Sequence, residues 1–497
     1  MKIKKVFALL SFLLSLNMLL NAQVFTDNEE IVFNSASLLS TNSSSSNDSL
    51  SWSEKKHPFV GLGGMLGFNL LLSTWNRYMI GSGWAKTGWE EWDHFWEREL
   101  KWDNDWYWTN FVLHPYQGSL YYMSARGANL NQLESFGVTF VGSYLWEFLC
   151  ECNSPSKNDM IYTTVGSFVV GEMLYRLSSE ANEINRLFGI ALNPQRLWTE
   201  YLWRIKPKES TGNIYSLSLA FNIGTTQTYT NLIDSKKPYK ENEIYPVWGQ
   251  PEINIVYNDP YTHDSNVPYS QFNLKIQAGL GKGSGYGAVC NYEEFDKEMF
   301  YQIKIISDGM LFSRVIDLGD NKDTSIGIVM EYDFDWHSFY QLSSLAPGFA
   351  IKQRCNYDSS KIEWQAHLAG VLLGTSDFYY AHRPIIELGD GTTRTYSMNV
   401  GLENVLRFKY EHNNGHSLDM DFHGYALYDF YDQKQAFAST GWEFLGFLDI
   451  SYEIPLSNIL RLGLADNLYV KYAAYKDIED VFQMVNSGRI FVKFKLK

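Results

Sequence analysis

Cysteine and proline are scarce in this chain, at 4 and 13 among 497 residues. Cys150 and Cys152 stand too close together for an ordinary bridge, and Cys290 and Cys355 lie far from them. No disulfide framework is implied, and no zinc spacing is present. Positive charge is also in deficit. A formal net charge of −15 excludes nucleic acid as a partner, because binding phosphates needs a basic face. HExxH, GxSxG, Walker-loop and CxxC patterns are missing, and with them the usual grounds for hydrolase, nucleotide or redox chemistry. The sequence implies no cofactor and no metal. A long uncharged helix is absent as well. Residues 59–74 carry no charge, but about 16 residues fall short of the roughly 20 a bilayer-spanning helix needs. They are expected to form one buried or interfacial helix, with a membrane-spanning helix as the alternative.

Aromatic residues are abundant: 16%, with 33 Tyr, 31 Phe and 16 Trp. Residues 75–108 hold Trp75, Trp84, Trp89, Trp92, Trp96, Trp102, Trp106 and Trp108 among acidic residues, as suits a boundary between apolar and wet regions. A sugar-stacking surface is the functional alternative. At the start, Lys2, Lys4 and Lys5 precede an apolar run over 6–20 and the small residue Ala22, the pattern of a signal peptide over 1–22. No cysteine follows that run, so a lipoprotein anchor is not expected. The expected setting is the envelope of a Gram-negative cell. Residues 23–57, polar and serine-rich, are expected to be a flexible leader.

Residues 58–205 read as a helical module. Pro115 suits a first helical turn, in a helix running to about Arg126 with Gly127 as its stop. A second helix is expected from about Asn131 to Cys150, placing Glu147 and Glu151 one turn apart. A third opens on Ser156 and Asp159, which resemble a capping box, and brings Glu172 and Arg176 to i,i+4 spacing. After Ile205 the period changes from helical to two, giving an antiparallel β region over 206–497. From Tyr396 to Glu403 even positions are apolar and odd ones polar, and Asn413-Asn414-Gly415 supplies turn chemistry before the return strand. The same alternation recurs over 272–280, 326–336, 362–372, 442–452 and 460–474, and at the C-terminus. Soluble strands average about 5–6 residues, whereas tilted membrane strands need about 9–11. The fold class is therefore α+β, a helical module followed by an outer-membrane-type barrel of about twelve strands. Tyr396, Tyr410, Trp336 and Tyr472 near strand ends fit an aromatic girdle. Outer-membrane lipid is the implied partner.

Within the helical region, Asn110, His114-Pro115-Tyr116 with Gly118, Tyr121-Tyr122 and Ala125-Arg126 form the start of an ordered run of motifs. Glu134-Ser135, Gly142-Ser143, Trp146-Glu147-Phe148, Pro155-Ser156 with Asp159, and Gly171-Glu172 complete it. This run, over roughly residues 60–180, resembles the domain of unknown function 3943 family of exported bacterial proteins. The resemblance implies an envelope setting and transfers no activity.

Two groups of polar residues stand out. His114, Arg126, Glu134, Glu147, Glu151, Asp159, Glu172 and Arg176 sit in apolar helices, where charges are costly unless they meet partners. They are expected to form a buried polar network; the alternative is a catalytic or metal site on His114, Glu147 and Glu172. In the barrel, Glu331, Asp333, Asp335, His337, Glu363, His367, Glu403, Arg407, Asp419, Asp421 and His423 fall on the lumen side of the alternation. Two functions follow: a barrel with a helical plug or cap in a structural or transport role, or an envelope lipid- or glycan-modifying enzyme.

Overall fold

In a computed structural model, the structure describes residues 51–94, 97–103, 105–208, 210–233, 240–282, 299–319, 321–378, 395–430 and 438–497. The expected signal peptide and residues 23–50 of the leader lie outside the described residues. The chain forms two compact units. One holds the chain up to Lys101 with Gly118–Met160 and Leu174–Thr211; the other holds Trp102–Gln117, Ile161–Met173 and Gly212–Lys497.

The first unit is helical. Helix Pro58–Thr74 continues without a break through a π-helical turn, Trp75–Ile80. The sequence reading stopped this helix at Thr74, ahead of Asn76 and Arg77. Both polar side chains find carbonyls, Asn76 that of Leu72 (3.0 Å) and Arg77 that of Thr87 (2.6 Å), so the helix runs on. Its 23 residues make it the one helix among the described residues long and apolar enough to cross a membrane. Of the two expected placements, buried or interfacial, full burial is not met: Val60, Met65 and Leu72 are buried, whereas Phe59, Leu66 and Leu70 are exposed. Its glycines permit close contact: a Cβ on Gly61 would lie 3.1 Å from the Ala125 Cα. The leader also needs correction at its end. Residues 51–57 pack in this unit, with the Trp52 ring 4.0 Å from His57 and its indole donating to the Trp203 carbonyl (3.0 Å).

In the second unit twelve antiparallel strands close a barrel. They are β1 (Ile214–Ile233), β2 (Lys240–Tyr257), β3 (Phe272–Lys282), β4 (Met299–Asp317), β5 (Lys322–His337) and β6 (Gln341–Asn356). The remainder are β7 (Ser360–Ser376), β8 (Asn399–His412), β9 (Ser417–Asp429), β10 (Gly441–Pro455), β11 (Leu460–Tyr475) and β12 (Asp480–Lys495). Each strand pairs with its sequence neighbours, and β1 pairs with β12 to close the ring, which leaves no open edge. Alternation sets the two faces. Ile223, Phe349, Leu368, Leu402 and Leu464 point outward and are exposed, while Asn222, Lys352, His367, Glu403 and Arg461 point inward and are buried.

The two helical segments of this unit lie against the outside of the barrel wall. Tyr332, Phe334 and Trp336 share a face of β5 with the exposed Ile326 and Ile328, so that face is the outward one. Tyr107 stacks on Phe334 (5.0 Å between centroids), and Trp108 lies 5.6 Å from Trp336. The Tyr162 hydroxyl donates to the Leu373 carbonyl of β7 (2.8 Å). These segments therefore do not fill the lumen. Trp336 and Tyr396, expected in the girdle, are covered by Trp108, Phe111 and Tyr107 instead.

Pro115 does not begin a helix either. A π-helical turn, Thr109–Leu113, runs directly into helix His114–Gly127. A proline inside a helix strands the carbonyl four residues earlier, here that of Phe111. That carbonyl accepts the Tyr332 hydroxyl of β5 at 2.5 Å. The barrel wall thus satisfies the acceptor that the proline leaves over. Tyr332→Phe is expected to lower stability by about 1–3 kcal/mol, the cost of an unsatisfied buried carbonyl. Thermal unfolding of the folded protein in detergent measures it, and no loss would mean that the carbonyl has another partner.

Candidate functional site: the barrel lumen

Inward-facing side chains divide the lumen into three tiers. At the end reached by the C-terminal ends of β5, β7 and β9, the turn between β5 and β6, residues 338–340, folds into the barrel. Tyr340 stacks on Tyr469 of β11 (3.8 Å, 4°) and on His337 (4.7 Å). Phe339 meets the Tyr245 ring of β2 (4.7 Å), and its carbonyl accepts the Gln483 amide of β12 (3.0 Å). In the ring order, β11 and β12 stand opposite β5 and β6. A short turn thereby crosses the lumen. Trp248 stacked on Phe300 (5.1 Å) joins the same aromatic cluster. Asp335 anchors it from below, accepting the Tyr340 hydroxyl (3.0 Å) and pairing with Lys304 (3.3 Å).

The middle tier is ionic and buried. Asp308 of β4 takes Lys352 (3.2 Å), Arg407 and the Asn273 amide (2.9 and 3.1 Å). His367 meets Glu331 (2.6 Å). His423 meets Asp333 through Nδ1 (2.8 Å) and Asp421 through Nε2 (3.3 Å). The Tyr425 hydroxyl donates to Asp333, and Ser344 Oγ donates to Glu403 (2.5 Å). Charges this deep persist only when paired and hydrogen-bonded. The third tier is a cavity of about 490 Å³, lined by residues of both signs such as Glu252, Lys275, Glu363, Lys409, Asp419, Asp449 and Arg489.

All the lumen residues named from sequence lie on inward positions, but in different tiers. Asp335 and His337 belong to the aromatic constriction, and Glu363 and Asp419 to the cavity. Glu331, Asp333, His367, Glu403, Arg407, Asp421 and His423 form the ionic tier, Arg407 and Asp421 also bordering the cavity. Sequence reasoning missed Asp308, Lys352 and Tyr425, whose strands it did not phase or whose polar atom it did not weigh. It also missed residues 338–340. The available signal was a three-residue turn containing Phe-Tyr where glycine, asparagine or proline is usual.

The helical candidates are divided between the two units. Glu147 is buried and accepts the Ser156 amide (2.8 Å), while Ser156 Oγ caps the amide of Asp159 (3.1 Å). Arg126 is buried with its guanidinium over the Tyr175 ring (4.7 Å), and Arg176 is buried in the same unit. His114 and Glu172 are buried in the other unit. Two members of the expected buried network are not buried. Glu134 is exposed: it caps its own helix through Asn131 and pairs with Lys56 (2.7 Å). Lys56 and the Asn131 amide hold its carboxyl below the usual range. Glu151 is half-buried and has left the helix, because the π-helical turn Trp146–Cys150 ends ahead of it; it accepts the Trp146 indole (2.6 Å).

A closed antiparallel barrel, apolar outside and charged within, defines an outer-membrane-type barrel protein. Residues 99–195 match the family described as Domain of unknown function (DUF3943), a span later than the 60–180 read from the motifs. No curated protein matches the chain. Among solved structures, an outer membrane channel from Pseudomonas putida F1 is 6% identical with TM-score 0.29, over 58% of this chain and all of that one. A Pseudomonas aeruginosa FadL homologue is 7% identical with TM-score 0.21, over 56% of this chain and 90% of that one. The Pseudomonas putida toluene transporter TodX is 6% identical with TM-score 0.23, over 56% and 89%. At these scores the likeness is weak and says nothing of cargo.

Proposed function

We propose that this is an outer-membrane barrel with a transport role. Its lumen admits small charged solutes from the cavity end and is closed at the other end by residues 338–340. The helical segments Trp102–Gln117 and Ile161–Met173 brace that closing turn from outside. One observation carries the reading: the single ring has an apolar outer face and a lumen half open, half shut. The cavity lies toward the end where four of the five connections between strands are tight (318–321, 357–359, 413–416 and 456–459, the fifth being 258–271), while the long connections 283–298 and 377–398 join strands at the other end. Barrels of this type keep short turns on the periplasmic side, so the cavity opens to the periplasm. Bracing is supported by the Tyr107 hydroxyl, which donates to the Leu342 carbonyl beside the turn. The enzymatic alternative needs His114, Glu147 and Glu172 on an accessible pocket, and all three are buried.

The test is recovery of the chain in the outer membrane with heat-modifiable gel mobility, together with a pair of arginine substitutions. Leu402→Arg, on the lipid face, is expected to cost about 2–4 kcal/mol and to reduce assembled protein. Ser451→Arg, in the cavity lining, is expected to assemble normally. Equal assembly of both variants, or recovery in the soluble periplasm, overturns the bilayer reading.

A further inference from the structure

The ionic tier has more buried carboxylates than its fixed cations balance. Asp308 is served by Lys352 and Arg407. Glu331, Asp333 and Glu403 lie beside His367 and His423, and Lys352 and Arg407 act on Glu331 as well as on Asp308, so these four carboxylates share two fixed cations and two imidazoles. Asp333, Glu403 and His423 each bring a ligand atom within 4.8 Å of the others. Asp333 Oδ1 and Glu403 Oε1 are buried with no hydrogen-bond partner, as are Glu331 Oε2 and His367 Nε2.

We propose that Asp333 of β5, Glu403 of β8 and His423 of β9 bind one divalent first-row transition cation inside the barrel. The supporting contacts are those a metal site needs. A ligating histidine commonly donates its other ring N–H to a carboxylate. His423 Nε2 faces Asp421 Oδ1 at 3.3 Å, and Nδ1 turns to the carboxylate pair, 2.8 Å from Asp333 Oδ2, so Nδ1 is the donor to metal and its contact with Asp333 gives way to the cation. Each carboxylate is held by one oxygen and left free at the other: Tyr425 binds Asp333 Oδ2, and Ser344 binds Glu403 Oε2 at 2.5 Å. Glu403 Oε1 stands 3.9 Å from His423 Nδ1. Donors at about 2.0–2.2 Å from a cation lie a few tenths of an ångström closer together than that, so small side-chain rotations suffice. One imidazole with two carboxylates suits zinc, manganese or ferrous iron over calcium, which prefers oxygen alone. Bound there, the cation ties β5 to β8 and β9 across the lumen. The competing arrangement is a proton shared between Asp333 and Glu403 with His423 as an imidazolium.

Full-length protein folded in detergent, stripped with EDTA and reloaded with Zn²⁺ alone or Mn²⁺ alone, is expected to hold about one equivalent of metal, as a single closed site does. Glu403→Gln is expected to lose it while keeping heat-modifiable mobility, and Asp421→Asn to weaken it by about 10–100-fold. Metal-free wild type after both reloadings, or full occupancy in folded Glu403→Gln, overturns the site in favour of the shared proton. Should Glu403→Gln not fold, X-ray absorption of the zinc-loaded wild type decides. A nitrogen and oxygen shell including one imidazole supports the site, and a shell without imidazole overturns it.

Discussion

Asp308→Asn is expected to destabilise the folded barrel by about 3–5 kcal/mol, the usual cost of breaking one side of a buried ion pair. Asp308 is fully buried and is the shared acceptor of Lys352, Arg407 and Asn273. Its loss leaves Lys352, also fully buried, with the Gln271 side-chain Oε1 at 3.0 Å as its one remaining hydrogen-bond acceptor among the described residues. Arg407 keeps Asp421 (3.1 Å) and suffers less. Adding Lys352→Met removes the stranded ammonium and is expected to recover part of the loss. The control lies in the same lumen: Lys409 and Asp419 pair at 3.4 Å with both side chains about one-third exposed. Asp419→Asn there is expected to cost no more than about 1 kcal/mol, because water screens the pair. Urea unfolding of the folded protein in detergent measures all three. Equal losses at Asp308 and Asp419 would mean that the middle tier is wetter than its burial implies.

The barrel was legible where lipid-facing and lumen-facing residues alternate without interruption. β8 and β9 read directly, since Val400, Leu402 and Leu406 alternate with Glu403 and Arg407 on unbroken register. β4 did not, because a register shift between Met310 and Phe312 reverses the phase partway along. β6 carries Pro347 and Gly348 at another shift, and its outward Ser343 and Leu345 are buried, so its polar pattern does not alternate with exposure. The helices on the outer wall were invisible for the same reason. They bury Tyr332 and Phe334, aromatic residues that sequence alone assigns equally well to lipid.

The candidate site was legible as a list of inward polar residues but not as an arrangement. Period-two reasoning gives the face of each strand and says nothing of which residues meet across a barrel. His423 and Asp333 are 90 positions apart, and Lys352 and Asp308 are 44 apart. In the helices, the five π-helical turns among the described residues displaced the spacing on which i,i+4 reasoning depends. The turn after Trp146 is the one that separates Glu147 from Glu151.

Opening the lumen is the second large effect expected. Barrels of about 16–18 strands leave an aqueous channel and those of about 8 are filled by their own side chains; at twelve strands the outcome rests on which residues point inward. Here Tyr340 and Tyr469 stack across the lumen, with Phe339 against Tyr245 beside them. Wild type in planar bilayers is expected to show no steady ion conductance. Tyr340→Ala alone leaves Phe339, Trp248 and Phe300 in place and is expected to open the barrel only briefly. Phe339→Ala with Tyr340→Ala and Tyr469→Ala removes the Tyr340–Tyr469 stack and the Phe339–Tyr245 contact and is expected to give resolved conductance steps. Asp335 and Lys304 beneath remain paired and set the charge that passing ions meet. Tyr107→Phe tests the brace separately: it keeps the ring on Phe334, removes the hydroxyl held by the Leu342 carbonyl, and is expected to raise the frequency of brief openings without enlarging them. Steady conductance in the wild type would mean that residues 338–340 swing clear of the lumen in the membrane. A silent triple variant with intact heat-modifiable mobility would place the barrier in the ionic tier below.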